Sequence, residues 1–307
     1  DRLLLESAPF EVLDGANALA DALGATRVIV YIAGADERAR RITEEAAGEF
    51  PDPEAPIETV AGQDIYRAGE PTMAIEDIEG NHRLEARRRP PGPATFGLDG
   101  RPTPVHSPRT LAQLSVGLRE GVPETRLVAV EGDVSAPAVV ELGEEASLED
   151  ALGAVELTDD WKAASVGGQF GGVTDSLSIQ PDHESLTAAG LGTDGVVNLL
   201  GEGRCVLEFI GKRAAFAADS NCGRCVPCRE GTTQLAELLR EIYDSEFDRA
   251  KIEELVAVMA TTSLCEFGVA AARPARTALE AFEDEIEAHA DGHCPAGRCL
   301  DPIEAQP

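Results

Sequence analysis

Cysteine, aromatic residues and long apolar runs are scarce in this chain of 307 residues. It has seven cysteines, and aromatic residues make up only 4% of it, so its core must consist mainly of Ala, Val, Leu and Ile. No apolar run approaches the roughly 20 residues that a membrane-spanning helix needs. Neither a secretory signal peptide nor a secreted cysteine framework is visible, so we expect no structural disulfides. We expect a cytoplasmic location, with peripheral attachment to the cytoplasmic face of the membrane as an alternative.

Positive charge is scarce as well. The chain has 26 basic and 56 acidic residues, a formal net charge of −30, and Lys162, Lys212 and Lys251 are its lysines. Dispersed acidic charge is best tolerated where salt screens self-repulsion, so the composition predicts a halophilic, haloarchaeal source. It excludes a nucleic-acid partner, because phosphate binding needs a basic surface. The basic run at residues 87–89 is interpreted as a phosphate or carboxylate contact or, equally, as a solvated loop.

The most informative segment is residues 220–232, which read SNCGRCVPCREGT. Two residues separate each of its three cysteines from the next, and a fourth cysteine follows at Cys265. A loop with three closely spaced thiolates can bind three irons of a cubane iron–sulfur cluster, while a remote cysteine binds the fourth iron. Structural zinc usually takes two separated cysteine pairs, and buried structural thiols do not cluster in this way. The spacing therefore predicts a [4Fe-4S] cluster with the ligands Cys222, Cys225, Cys228 and Cys265.

The first part of the chain alternates between helix and strand. Periodicity predicts helices over 1–24, with a break at Pro9, and over 36–50, and short β-branched runs predict strands over 27–32 and 57–60. This alternation is typical of a parallel sheet covered by helices. Residues 83–108, rich in Pro, Gly and Arg, are predicted to form an irregular loop.

The middle of the chain reads as a small β-grasp (ubiquitin-like) domain. Strands are predicted over 127–134, 138–142 and 163–166, and Ser147 with Asp150 is typical of a capped helix start. The glycine-rich string at 167–172 predicts a flexible turn, with a phosphate cradle as the less favoured reading. Two further extended pieces follow at 196–200 and 205–210, where Cys205 is interpreted as a core thiol.

The last part of the chain is predicted to be helical. Helices are expected around 211–218, 232–243, 248–260 and 269–289. The three-cysteine loop lies between the first and second helices, and Cys265 lies between the third and fourth. In an antiparallel bundle these two junctions fall at the same end, which independently favours one shared cluster.

The tail carries a second group of metal-ligand residue types. His289 and His293 are followed by Cys294 and Cys299. Two thiols and a histidine can hold zinc, so we predict a second metal site with the ligands His293, Cys294 and Cys299. A tail disulfide or reduced thiols are alternatives.

Residues 220–232 and the segment 265–271 (CEFGVAA) resemble the NADH-oxidising flavoprotein subunit of respiratory complex I. Similar modules occur in NAD-linked formate dehydrogenases and soluble hydrogenases. The middle domain resembles the soluble-ligand-binding β-grasp domain of these proteins, and residues 66–72 and 95–103 fall at matching places. The resemblance covers essentially the whole chain and is most specific at the cysteines.

The resemblance implies an NADH dehydrogenase (quinone)-type activity. NADH would pass a hydride to FMN, and electrons would leave singly through the [4Fe-4S] cluster to a partner subunit. The partner would be a thioredoxin-like [2Fe-2S] subunit or a ferredoxin-type subunit, without direct membrane insertion of this chain. Tyr66, Gly69 and Glu70 match flavin-pocket positions, and Arg229 would lie close to the cluster.

The chain departs from the family pattern at several flavin and nucleotide positions. Pro71 replaces the second acid of a Gly-Glu-Glu motif, His106 and Ser107 replace an asparagine pair, and Gly92 replaces an aromatic residue. The resemblance implies that the family's glycine-rich FMN loop and the acidic motif after it would lie upstream of Asp1. An alternative is therefore a non-catalytic scaffold or electron-wire subunit that keeps the cluster and has lost FMN and NADH binding.

The predicted fold class is multidomain α+β. We expect the C-terminal part of an α/β flavin domain, a β-grasp domain, a connecting segment, a four-helix bundle carrying the iron–sulfur cluster, and a cysteine-containing tail. The predicted boundaries, in that order, are 1–122, 123–175, 176–206, 207–290 and 291–307.

Overall fold

The computed structural model describes residues 1–87, 91–121, 125–143, 145–244 and 247–298. The chain divides into two compact units, Asp1–Glu124 and Thr125–Pro307. Within the described residues, no helix combines the length and the apolar character needed to cross a membrane.

The first unit combines helices with a two-stranded parallel sheet, in which Val28 pairs with Ile57. The predicted helix over 1–24 is two helices that meet at Ala8, since Pro9 starts the second one. Two further helices lie where none was predicted, and a proline begins each of them. The elements are α1 (Arg2–Ser7), α2 (Pro9–Leu23), β1 (Val28–Ala33), α3 (Glu37–Glu49), β2 (Ile57–Gly62), α4 (Pro71–Ile78) and α5 (Pro108–Glu120), with 3₁₀ turns at Tyr66–Gly69 and Leu98–Gly100.

Helices α2 and α5 approach closely in this unit. A Cβ at Gly15 would lie 1.9 Å from the carbonyl oxygen of Leu111, so only glycine permits this contact. Beside it, a small core is built from Leu5, Val12 and Ile32 together with the alanines of neighbouring helices. The unit is therefore held by backbone proximity and small side chains, as its low aromatic content predicts.

The second unit begins with a five-stranded mixed sheet in the order β4-β3-β7-β5-β6. Strand β7 pairs in parallel with β3 and antiparallel with β5. The predicted connecting segment 176–206 thus contains the central strand of the sheet. Local patterns predicted an extended piece at 196–200 but not its place in the sheet, because the partner strands are distant in sequence. The elements are β3 (Thr125–Gly132), β4 (Ala138–Gly143), a 3₁₀ turn at Leu148–Ala154, β5 (Trp161–Val166), a 3₁₀ turn at Gly168–Phe170, β6 (Gly172–Thr174), α6 (His183–Ala188) and β7 (Val196–Gly201).

Among the described residues after β7, this unit is mainly helical. The predicted fourth helix over 269–289 is three helices, since Pro274 lies in the first turn of the second one and Phe282 separates it from the third. The second predicted helix begins earlier than expected, because Pro227 suits a first helical turn. The elements are α7 (Val206–Ser220), α8 (Val226–Glu241), a 3₁₀ turn at Ile242–Asp244, α9 (Arg249–Thr262), α10 (Glu266–Ala270), α11 (Arg273–Ala281) and α12 (Glu283–Ala290).

Candidate functional site

The three-cysteine motif lies at the junction of α7 and α8, and Asn221 shapes its first turn. The Asn221 Nδ2 donates a hydrogen bond to the carbonyl oxygen of Ala218 at 2.6 Å, and its Oδ1 accepts one from the Gly223 N–H at 2.9 Å. Gly223 has a φ of 77°, a conformation that favours glycine. This capped turn places Cys222 between the two helices.

The other two cysteines of the motif belong to the start of α8. Cys225 is the residue that precedes the helix, and Cys228 lies in its first turn with 5% of its surface exposed. The Arg229 Nη1 donates to the carbonyl oxygen of Gly223 at 3.0 Å, which ties the helix back to the loop. The N–H groups of a first helical turn favour negative charge, so this end of α8 suits thiolate ligands.

Cys265 reaches the same place from the start of α10. It precedes α10 and is 8% exposed. A Cβ at Gly268 would lie 2.9 Å from the Cβ of Cys228, so α10 touches the start of α8 through a glycine. Helix α8 also approaches α9 through a glycine, since a Cβ at Gly231 would lie 2.6 Å from the Met259 Cγ. These close approaches bring Cys265 to the three-cysteine motif.

The other three cysteines affect the electrostatics of Cys228. Burial is the main reason that the pKa of the Cys228 thiol rises to about 12. The nearby thiols of Cys225, Cys265 and Cys222 raise it further, and Cys225 also contributes a hydrogen bond. Thiolates crowded in this way need a compensating positive charge, which bound metal supplies while it deprotonates the ligands.

The donor set fits an iron–sulfur cluster. Four thiols converge, two of them buried, and two of them precede helices. Four cysteine thiolates are the usual ligands of a [4Fe-4S] cluster. Phe267, two residues after Cys265, is buried, and its ring centroid lies 5.1 Å from that of Phe170 in an edge-on contact.

A second group of metal-ligand side chains lies elsewhere in the helical region. The ligand atoms of Cys205, His289 and Cys294 all lie within 4.8 Å of one another, and all three residues are buried. Of the ligands predicted for the tail site, Cys294 belongs to this group, whereas His293 is exposed; the histidine of the group is His289. Cys299 lies outside the described residues. Cys205, interpreted as a core thiol, was missed as a candidate because it stands 84 positions before His289.

The three predicted flavin residues stand together at the start of α4. Tyr66 and Gly69 form a 3₁₀ turn, and 48% of Tyr66 is exposed. The Glu70 carboxylate caps α4: its Oε2 accepts from the N–H of Thr72 at 2.9 Å and from that of Met73 at 3.1 Å. Their role at a flavin stays a prediction.

The departures from the family pattern have local structural roles. Pro71 is the first residue of α4, a position that proline favours. Ser107 caps α5 by accepting a hydrogen bond from the Thr110 N–H at 3.2 Å. The Gly92 carbonyl accepts from the N–H of Thr95 at 2.9 Å in a tight turn. These residues suit the backbone of this unit whether or not a nucleotide binds.

The predicted basic cluster is only partly described. Arg87 pairs with Glu76 at 2.7 Å and with Glu79 at 2.6 Å, so two carboxylates occupy its guanidinium. Residues 88–90 lie outside the described residues. The possible phosphate contact at 87–89 therefore has no support from Arg87.

Two family models match the chain. Residues 1–115 match the Nuo51 FMN-binding domain, and residues 208–289 match the NADH-ubiquinone oxidoreductase-F iron–sulfur binding region. The second match contains all four converging cysteines. Fold, site and matches together define the class: an iron–sulfur flavoprotein of electron transfer.

Similar proteins sharpen this assignment. The chain is 30% identical to the NADH-quinone oxidoreductase F-subunit 2 of Rhizobium meliloti (strain 1021), over 96% of this chain and 78% of that protein. It is 29% identical to the NADP-reducing hydrogenase subunit HndC of Solidesulfovibrio fructosivorans, over 97% of this chain and 68% of that one. The chain belongs to the family of the NADH-quinone oxidoreductase F-subunit and the related subunits of NAD-reducing hydrogenases.

A solved structure of a related protein supports this family assignment. An NAD⁺-reducing [NiFe]-hydrogenase in the H₂-reduced state superposes with a TM-score of 0.84 at 27% identity. The match covers 94% of this chain and 53% of that chain, so this chain spans about half of the hydrogenase chain's length. The family predicted from the cysteine motif is thus confirmed, whereas the haloarchaeal source stays a prediction.

Proposed function

We propose that this chain is an electron-transfer subunit of an NAD(P)H-linked oxidoreductase complex. Electrons from NADH enter through FMN, and the [4Fe-4S] cluster is held by Cys222, Cys225, Cys228 and Cys265. The observation that carries the proposal is the contact between α10, which follows Cys265, and the start of α8, which holds Cys228, within the segment that matches the family's iron–sulfur region. The match of residues 1–115 to an FMN-binding domain supports the flavin half.

The chain's own residues supply a charged and partly dry setting for this chemistry. When bound, FMN accepts a hydride from the nicotinamide, and the cluster accepts and releases single electrons. The start of α8 offers N–H groups, and Arg229 holds a positive charge against the loop through Gly223. Cys228, Cys265 and Phe267 are buried, which keeps bulk water from this side of the site. Tyr66, Gly69 and Glu70 are the proposed contacts to the flavin.

The test is metal and flavin analysis of protein purified without oxygen. We expect about four irons and four labile sulfides per chain, bound FMN, and a cubane electron paramagnetic resonance signal after reduction. NADH should reduce ferricyanide through the bound flavin. Zinc in place of iron at these cysteines would refute the cluster, and absent flavin and absent NADH oxidation would refute the catalytic half.

A second candidate is an electron-wire subunit that keeps the cluster without FMN or NADH. The departures from the family pattern at Pro71, His106, Ser107 and Gly92 favour it, since each replaces a residue type that the family uses for the flavin or the nucleotide. Tight stoichiometric FMN in the purified protein would eliminate this candidate.

The partner is proposed to be another subunit of a redox complex, because the relatives named above are such subunits. We favour a thioredoxin-like [2Fe-2S] subunit or a ferredoxin-type subunit as the electron acceptor. A cytoplasmic location follows from this proposal. Co-purification from native cells, with iron counted in the captured complex, tests for both candidate partner subunits.

A further inference from the structure

We propose that Cys205, His289 and Cys294 bind one zinc ion, at the end of α7 remote from the iron–sulfur cluster. Their ligand atoms lie within 4.8 Å of one another. Cys205 is 1% exposed, His289 2% and Cys294 7%. Polar groups this deeply buried need strong partners, and a shared metal ion satisfies all three together.

The distances suit a single ion. The Cys205 Sγ and the His289 Nε2 are 3.3 Å apart. Zinc bonds of about 2.3 Å to sulfur and 2.0 Å to nitrogen in a tetrahedron separate two such ligand atoms by about 3.5 Å. Two thiolates also neutralise the double charge of Zn²⁺, so the filled site adds no net charge to the interior.

The orientation of His289 identifies which of its nitrogens meets the metal. Its Nδ1 lies 2.6 Å from the backbone carbonyl oxygen of Glu285. A carbonyl oxygen can only accept a hydrogen bond, so Nδ1 carries the proton and the lone pair of Nε2 faces Cys205. Metal-binding histidines are usually held by such a second hydrogen bond. The ring of Tyr243 packs edge-on against the imidazole, with the two ring centroids 5.6 Å apart.

The position of Cys205 at a helix start favours the thiolate form of its side chain. It precedes α7, and its Sγ accepts a hydrogen bond from the Glu208 N–H at 3.3 Å. Helix N-termini favour the anionic form of cysteine. Glu285 holds the two sides together, because its Oε1 accepts from the Val206 N–H at 2.8 Å and its Oε2 pairs with Lys162 at 2.8 Å.

Cys294 reaches the group through the turn that ends α12. Gly292 has a φ of 75°, and the His293 N–H bonds back to the carbonyl oxygen of Ala288 at 2.9 Å. Such a turn reverses the chain beyond a helix. As a result Cys294 is buried beside His289, while His293 points to solvent.

The ion would tie the start of α7 to the end of α12 and to the tail. Helix α7 has 15 residues and is therefore about 22 Å long, and the cluster cysteines begin beyond its other end. Zinc has no redox chemistry of its own. The two centres should therefore be lost independently, and failure of the zinc proposal would leave the cluster proposal intact.

Two histidines four positions apart provide a matched test. In anaerobically purified protein we expect about one zinc per chain in the wild type and in His293→Gln. His289→Gln and Cys294→Ser should lose the zinc while their iron content stays unchanged. Equal zinc content in both histidine variants, or a wild type without zinc, would overturn the proposal.

A measurement on the wild type covers the case in which a variant fails to fold. Zinc K-edge X-ray absorption should show sulfur neighbours at about 2.3 Å and nitrogen at about 2.0 Å, without interference from iron. A shell of oxygen only, or a disulfide between Cys205 and Cys294 in the peptide map, would contradict the site.

Discussion

In the helical region, the cysteines predicted as cluster ligands lie at helix junctions where their side chains converge. In the N-terminal unit, the residues predicted to contact the flavin also hold local structure, since Glu70 caps α4 through its carboxylate. Cys225 and Cys265 also precede helices, yet their side chains do not cap them. A motif whose side chains face one another is stronger support for a cofactor than one whose side chains also build the backbone.

The largest expected effect comes from removing a cluster ligand. Cys265→Ala should abolish the cubane electron paramagnetic resonance signal and lower iron from about four per chain toward zero, because three thiolates hold the cluster poorly. FMN content should not change, since the residues predicted to contact the flavin belong to the other unit. Cys294→Ser is the control for thiol loss as such and should keep all the iron. Iron retained at the wild-type level in Cys265→Ala would remove this residue from the ligand set.

A pair of glycine substitutions compares the packing of the two regions. Gly268→Ala should destabilise the protein by about 1–3 kcal/mol, because the new Cβ would lie 2.6 Å from the Ser263 Cβ and 2.9 Å from the Cys228 Cβ. Gly48→Ala meets nothing within 4 Å in α3 and should stabilise it by about 0.5–1 kcal/mol. Denaturant titration measures both, and iron analysis should show a loss only in Gly268→Ala. If the two variants behave alike, the contact between α10 and α8 is looser than described.

The capping role of Glu70 predicts a smaller effect in the N-terminal unit. Glu70→Ala should lower the free energy of unfolding by about 1 kcal/mol, since two N–H groups of α4 lose their acceptor. Iron content should stay at the wild-type level. The FMN content of the same variant decides whether Glu70 also serves the flavin: a loss of FMN much larger than the loss of folded protein supports the double role, and a proportional loss contradicts it.

The smallest expected effect depends on pH and concerns Asp133, which follows β3. Its carboxylate accepts from the Gly201 N–H at 2.9 Å and from Arg204, and the hydrogen bond from Arg204 is the main reason that its pKa is lowered. A lowered pKa stabilises the fold above the ordinary carboxyl pKa, and the stabilisation disappears as the pH falls through the native value. Asp133→Asn should therefore cost less than about 1 kcal/mol at pH 7, after allowance for solvent screening.

Unfolding measured at decreasing pH checks this expectation. The difference between Asp133→Asn and the wild type should shrink below about pH 4, where the carboxylate of the unfolded chain also takes up protons. Asp52→Asn, at an exposed bend in the N-terminal unit, is the control for the exchange of Asp for Asn as such. A difference that persists at low pH would show that the hydrogen-bond geometry matters more than the charge.

Local patterns predicted much of the fold but missed its long-range contacts. The runs at 27–32 and 57–60 have the β-branched composition of buried strands, and they pair in parallel. Helices α4 and α5 escaped prediction because their flanks are rich in Pro and Gly, although a proline at the first helical position is itself a start signal. Strand β7 was seen as an extended piece, yet its central place depends on pairing with β3, which lies more than 60 residues earlier.

The sequence by itself determined the family and indicated the cluster ligands, because the spacing of Cys222, Cys225 and Cys228 is short enough for covalent geometry to bring the thiols together. Only the tertiary structure brought Cys205 together with His289 and Cys294. That proximity comes from the packing of α7 against α12 and from the turn at Gly292. Contacts between residues so far apart depend on how whole helices pack, and no local pattern in the sequence records this.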